Sequence, residues 1–339
     1  MAKYLITGAT GFIGAHLLQK VCSSENEIFC LYRPKKQPPP NTYSIRWIEG
    51  DLLDSNAYKE ALKESDYVIH LAGLLSARRK EDYSLINVEG TAALLEACKE
   101  VGAPLKRFVH MSSVAAGGPN HDGQLLNETD SYAPQTEYGK SKLQAEQVAQ
   151  YYSKFIPIVI LRPTFVYGRG DIRGLKFLKS LNNPVFLLWA SQIKTICLCH
   201  VTDVVQGCFL SMQKDVESGN IFIISDPGVS IFENVWKPLE EIFCEILGED
   251  HSQEDHRMSI FSKLSSLFNT AASKAGRGQF WACDTSKAQT ILGFSPEMPF
   301  RKGAYDTILW YISQGSLSIK DIKQIWIGTR GDESTAKNF

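Results

Sequence analysis

A short apolar run, Tyr4-Leu5-Ile6, leads into Thr7-Gly8-Ala9-Thr10-Gly11-Phe12-Ile13-Gly14. Ile13, Leu17, Leu18 and Val21 then recur at the spacing of one helical face. Strand, glycine turn and helix in that order constrain the chain more than any other stretch. Gly8 lets the backbone turn sharply off the strand, Gly11 lets it approach a pyrophosphate, and Gly14 lets the helix pack close to a sheet. The helix N-terminus presents N–H groups that suit a phosphate, with Thr10, Phe12 and Ile13 in the same loop. A plain glycine-rich turn is the alternative, and the strand and helix on either side argue against it.

Apolar runs and amphipathic stretches alternate through the first half. Strands are expected at 3–7, 27–32, 45–48, 67–71, 107–112 and 157–161, and helices near 12–23, 56–64, 86–102 and 138–153. That alternation predicts a doubly wound parallel α/β sheet with helices on both faces. After residue 168 the pattern loosens, with strands expected at 185–189, 193–199 and 220–224. Helices are expected there near 202–213, 231–247, 258–270 and 300–313. The expected division is a nucleotide-binding domain over 1–168, a smaller C-terminal substrate lobe over 169–327, and a polar tail over 328–339. Some lobe segments are expected to return to the main sheet.

The second strand should end beside the adenosine ribose of a dinucleotide. An acid there would bind the ribose hydroxyls of NAD, and a cation would accommodate the extra phosphate of NADP. This chain has Tyr32-Arg33-Pro34-Lys35-Lys36 at that point. Arg33 and Lys36 therefore favour NADP, with NAD possible and a solvated loop as the plainer reading. The 339 residues carry a formal net charge of −1, which points to no nucleic acid and no membrane surface as partner. With the first residues already reading as a strand, no signal peptide is expected, and no apolar run reaches membrane-spanning length. Eight scattered cysteines, Cys30, Cys197 and Cys199 among them, lack framework spacing and read as reduced thiols, as in a cytoplasmic protein. His251, Glu254, Asp255 and His256 read as a polar loop, so no metal is expected.

Tyr138 and Lys142 stand four apart on an expected helix and so share a face. A tyrosine hydroxyl titrates near ~10 when unperturbed, and a neighbouring ammonium lowers that value. Such a tyrosine can exchange a proton with an alcohol or carbonyl oxygen. Met111-Ser112-Ser113 closes another strand, where an open α/β sheet places its ligand, and a serine hydroxyl there can bind the substrate oxygen. Asp51 either faces the adenine edge or caps the next helix.

Together these residues resemble the extended short-chain dehydrogenase/reductase family of the NAD-dependent epimerase/dehydratase type, from Thr7 to about Gly315. The resemblance implies a Rossmann-type sheet with a C-terminal substrate lobe. Gly50-Asp51-Leu52 is similar to the family's adenine-contacting segment, and His70-Leu71-Ala72-Gly73 to its nicotinamide-side strand end. Asn87-Val88-Glu89-Gly90-Thr91 is similar to its central helix, with Asn87 as a candidate for ordering a water in the proton path. Ser113, Tyr138 and Lys142 match its catalytic triad, with Ser113 preferred to Ser112 as the second of the pair. Leu161-Arg162-Pro163-Thr164-Phe165-Val166-Tyr167-Gly168 is similar to the segment flanking nicotinamide and substrate, which implicates Pro163, Thr164 and Val166 in the former and Phe165 in the latter. The helices near 86–102 and 138–153 resemble those that pair two subunits, implying a homodimer.

Two departures concern the substrate. Nucleotide-sugar members usually carry an asparagine where this chain has Phe165, and many carry an arginine where it has Ile196. Neither side chain can neutralise a diphosphate, so an apolar small-molecule substrate is expected. The apolar stripe of Ile260, Phe261, Leu264, Leu267 and Phe268 agrees, and it also fits ordinary core. Arg33 is closer in character to the dihydroflavonol-reductase and 3-beta-hydroxysteroid-dehydrogenase branches. The expected activity is NADP-dependent hydride transfer between nicotinamide and a carbonyl or secondary alcohol. The alternatives are a nucleotide-sugar epimerase or dehydratase, and a catalytically silent nucleotide sensor or scaffold. The Arg78-Arg79-Lys80 cluster either meets an anionic group or is a solvated loop.

Overall fold

The computed structural model describes residues 1–22, 25–34, 45–181, 183, 186, 193–227, 235–249 and 279–330. The first half runs β1 (Lys3–Thr7), α1 (Phe12–Val21), β2 (Glu27–Tyr32), β3 (Ile45–Glu49), α2 (Lys59–Glu64), β4 (Tyr67–His70), α3 (Glu81–Tyr83), α4 (Gly90–Glu100), β5 (Arg107–Met111), α5 (Glu137–Tyr152) and β6 (Ile158–Pro163). The second half runs β7 (Phe165–Tyr167), α6 (Ile172–Ser180), β8 (Ile193–Ile196), β9 (Leu198–His200), α7 (Val201–Gln213), β10 (Asn220–Ile224), α8 (Lys237–Leu247), β11 (Gln279–Trp281), α9 (Phe300–Ser313) and α10 (Ile319–Arg330).

Among the described residues, seven strands form one parallel sheet in the order β10-β6-β5-β4-β1-β2-β3. The near-continuous apolar character of these strands follows from burial on both faces. Leu5, Phe108 and Ile160 point to one side, against α4 and α5. Ile6, Val109 and Leu161 point to the other, where Leu17 and Val21 of α1 and Val204 and Cys208 of α7 cover them. The order reverses between β1 and β4, which opens a crevice at the carboxyl ends of the strands. A second core lies in the C-terminal lobe, where α6, α8, α9 and α10 close around Trp236, Phe243, Tyr311 and Trp326.

Several expectations change here. The expected helix at 56–64 opens as a short 3₁₀ turn, Ser55–Ala57, whose first free N–H is taken by Asp54, so Asp54 is the cap and Asp51 is not. The helix expected near 86–102 begins earlier, with a π-helical stretch Ser84–Glu89 between α3 and α4. The single strand expected at 193–199 is two strands parted at Cys197: β8 pairs with β11, whereas β9 pairs with β7. The strand expected at 185–189 and the first residues of the 231–247 helix fall mostly outside the described residues, and Phe186 is helical. The 258–270 helix with its apolar stripe, the His251–His256 loop and Lys36 also lie outside them.

The polar tail does not begin as a tail: α10 runs to Arg330 because Ile322, Ile325 and Trp326 fall on one buried face. Ser318 and Asp321 cap it reciprocally, Ser318 N–H to the carboxylate at 2.8 Å and Asp321 N–H to the hydroxyl at 3.1 Å.

Candidate active site

One cavity of about 860 Å³ runs from the β1–α1 turn across the strand ends into the C-terminal lobe. Its inner half is the glycine turn. Gly8 has φ of +76°, and a Cβ there would stand 2.6 Å from the Ala72 nitrogen. That is a conformation and a clearance only glycine meets. Gly11 offers no side chain to cap α1, and the first turn carries no acid, so among the described residues its N–H groups stand open to an anion on the cavity side. Thr10, Gly11, Phe12 and Ile13 line this end, with Leu71, Ala72 and Gly73 opposite. Arg33, exposed just past β2, sits at the far rim with Asp51 and Leu52. Asp51 accepts the Leu53 N–H at 3.0 Å. A glycine cradle, an uncapped helix and a rim cation fit a dinucleotide.

The middle of the cavity holds Ser113, Tyr138 and Lys142. Thr136 caps α5 by accepting the Gly139 N–H at 3.0 Å, which places Tyr138 in the first turn. Gly139 lets that turn press against the backbone of Ala115, in the short 3₁₀ turn begun by Ser113. Ser113 accepts the Ala115 N–H at 3.2 Å and so caps this turn, on the same stretch of cavity wall as Tyr138. Ser112 turns the other way, into a buried bond with Glu146.

Burial raises the Tyr138 phenol, and the Ser113 hydroxyl and the charge of Arg173 pull it back down. Lys142 was the cation expected in that role; here its ammonium donates to the Met111 carbonyl at 2.6 Å. Burial lowers Lys142 to about 8, against the opposing charge of Glu146. Asn87 lies off the cavity wall. Its amide oxygen accepts the Leu74 N–H at 2.7 Å, and its amide nitrogen donates to the Leu74 carbonyl at 3.0 Å and to Ser141 at 2.9 Å. Through these bonds Asn87 pins the loop after β4 to α5.

Pro163, Thr164 and Val166 lead the wall outward, with Thr164 bonded to Ser225 at 2.9 Å. The outer half is apolar. Phe165 meets Trp281 edge-on with centroids 5.8 Å apart, and Ile196, Leu198, Trp236 and Ile308 continue the surface. Arg173, in the first turn of α6, is the cation of this half among the described residues, 3.6 Å from the Asp171 carboxylate. Asp171 in turn accepts the N–H groups of Arg173 and Gly174. Sequence reasoning missed Arg173, Trp236 and Trp281. The Asp171 cap two residues before Arg173 was the available signal for the start of α6. Nothing in the local sequence brings Trp281 to Phe165. Arg79 is occupied by Asp82, which makes that part of the basic cluster a surface pair.

The fold recurs in known proteins. The chain is 25% identical over 330 residues to the dTDP-D-glucose 4,6-dehydratase of Mus musculus, covering 91% of this chain and 88% of that one. It is 28% identical over 205 residues to the ceramide reductase of Caulobacter vibrioides, covering 58% and 57%. The solved structure of MoeE5 in complex with UDP-glucuronic acid and NAD superposes with a TM-score of 0.66 at 25% identity, over 93% of this chain and all of that one. Residues 4–225 match the model of the NAD dependent epimerase/dehydratase family, and the chain belongs to that family.

Proposed function

We propose that this protein is an NAD(P)-dependent oxidoreductase acting on a carbonyl or secondary alcohol of a small substrate with an apolar body. The observation that supports the reading is the gathering of Ser113, Tyr138 and Lys142 in the middle of the cavity, where the Lys142 ammonium donates to the Met111 carbonyl at 2.6 Å. A bound nicotinamide would supply or accept the hydride. Ser113 positions the substrate oxygen, and Tyr138 gives a proton to it in reduction and takes one in oxidation. Lys142, held by Met111, is placed to bind a ribose hydroxyl at the cavity floor. Arg33 favours NADPH over NADH at the rim. Phe165, Ile196 and Trp281 exclude water and receive the apolar part of the substrate.

The second reading is a nucleotide-sugar epimerase or dehydratase. It is favoured by the relatives that cover nearly the whole chain and by the neighbour that binds UDP-glucuronic acid and NAD. The dehydratase form needs a further acid and base beside the reacting carbons to eliminate water. Among the described residues the cavity's carboxylates are Asp51 and Asp171, and both accept backbone N–H groups. The epimerase form needs cations for a diphosphate, where Phe165 and Ile196 stand instead. We place the protein in a homodimer through α4 and α5, a reading supported by the exposed Tyr151 and Phe155 at the end of α5. Sedimentation of the purified protein tests that assembly.

The deciding experiment is to denature freshly purified protein and identify any released nucleotide by mass spectrometry, with NADPH and NADH titrations of the native sample. Reversible binding that prefers NADPH supports the reductase. Stoichiometric, tightly retained NAD supports an epimerase or dehydratase that keeps its nucleotide through the cycle.

A further inference from the structure

Tyr138, Lys142 and Glu146 follow one another at four-residue steps on α5 and so share a face. The first two line the cavity, and the third lies below its floor with 2% exposure. Glu146 is held from two strands. Its Oε1 accepts from the Ser112 hydroxyl at 2.5 Å and from Arg162 Nε at 2.8 Å, and its Oε2 accepts from Arg162 Nη2 at 2.6 Å. Arg162, itself 2% exposed, also lies 4.6 Å over the Tyr132 ring. Ser112 precedes Ser113 at the end of β5, and Arg162 precedes Pro163 and Thr164 at the end of β6. The carboxylate therefore sits where the three elements that build the site converge, and bidentate pairing prevents it from turning away.

We propose that Glu146 is a positioning residue for the site: it is the buried counter-charge that holds Lys142 as an ammonium against the Met111 carbonyl. The inference rests on the reading of Lys142 as a nucleotide-binding group. Lys142 is buried, and the groups around it offer little else to balance its charge. From β4 and β5 come His70 and His110, both kept neutral by burial. Met111 offers a carbonyl, Asn87 an amide across Gly73, and Tyr138 a neutral phenol. Glu146 supplies the opposing charge. An ammonium taken out of water without such a partner gives up its proton.

A purely structural ion pair would hold the three elements together and do nothing more. The two roles separate because a buried pair can often be replaced by apolar groups without loss of stability, whereas removing one partner strands the other charge. The test follows NADPH affinity by nucleotide fluorescence from pH 7 to 10 in the native chain, in Glu146→Asp, and in the double variant Glu146→Leu/Arg162→Met. Lys142→Met serves as the reference without the ammonium, and thermal melts report folding.

The native chain and Glu146→Asp are expected to lose affinity together as pH rises past about 8. In the folded double variant the same loss is expected at least about one pH unit lower, a tenfold change in the proton affinity of Lys142. A folded double variant whose profile superposes on the native one, or drops equally at every pH, overturns the proposal. A native profile identical to that of Lys142→Met overturns the reading of Lys142 itself, and the inference with it.

Discussion

The Lys142 ammonium donates to the Met111 carbonyl over 2.6 Å, which ties α5 to the end of β5, two residues before Ser113. The lysine is thereby placed at the cavity floor, and the charge acting on the Tyr138 phenol comes from Arg173. Tyr138 must be deprotonated to act as a base, so in the alcohol-oxidising direction the rate rises with pH through its ionisation. Arg173→Gln removes a group that lowers that ionisation. The rising limb of the rate profile is then expected at higher pH than in the native protein, and an unmoved limb would show that Arg173 does not set the phenol's acidity.

Replacing Tyr138 by phenylalanine removes the proposed proton donor and leaves the nucleotide cradle intact. Turnover is expected to fall by roughly 10²–10⁴-fold. Nucleotide affinity, measured by fluorescence titration, should hardly change. Retained turnover would put the proton elsewhere.

Arg33 stands exposed at the rim of the nucleotide end. Arg33→Ala is expected to weaken NADPH far more than NADH, because a bidentate guanidinium–phosphate contact is lost only with the former. Equal losses in parallel titrations would mean that the 2′-phosphate is read by other groups.

His70 and His110 are buried side by side, with ring centroids 5.5 Å apart. Burial lowers His70 to about 3 and holds His110 well below its ordinary value. Below about 6.5 the unfolded chain takes up protons that the folded chain refuses, so stability falls with acidification by about 1.4 kcal/mol per pH unit for each histidine. The loss continues until the folded-state ionisation is reached. Among the described residues neither ring nitrogen of His110 has a hydrogen-bond partner. His110→Phe should therefore flatten the slope seen in urea melts between pH 6.5 and 5. An unchanged slope would contradict the neutral, buried assignment.

Ser318→Ala deletes one half of the reciprocal cap on α10. The expected cost is about 1 kcal/mol in denaturant melts, with nucleotide binding unaffected because α10 packs in the lobe core away from the glycine turn. A loss within error would mean that burial of Ile322 and Trp326 alone fixes the helix.

Where local chemistry decided the structure, the sequence was legible. The strand ending in Thr7, the turn at Gly8 and the placing of Tyr138 and Lys142 on one face of α5 are each set within a few residues, and the cavity gathers nearly all the residues they nominated. The Ser318/Asp321 cap was equally local, and reading it would have extended the fold to α10. The rest depended on contacts that no window contains. Cys197 divides one apolar run into two strands because β8 finds β11 and β9 finds β7. No window shows the Asn87 amide meeting Leu74 and Ser141. Arg173 became a feature of the site because α6 brings it to the wall of the cavity that Tyr138 also lines, which a lone arginine in the sequence does not announce.

The uncapped first turn of α1 makes the protein its own reporter. Donors left without a side-chain partner are satisfied by whatever anion settles there, so occupancy of the glycine turn feeds into the midpoint of unfolding. A ligand at a hundredfold excess over its dissociation constant raises stability by about 2.7 kcal/mol. Melting curves taken across a shelf of nucleotides would rank them before any substrate is in hand.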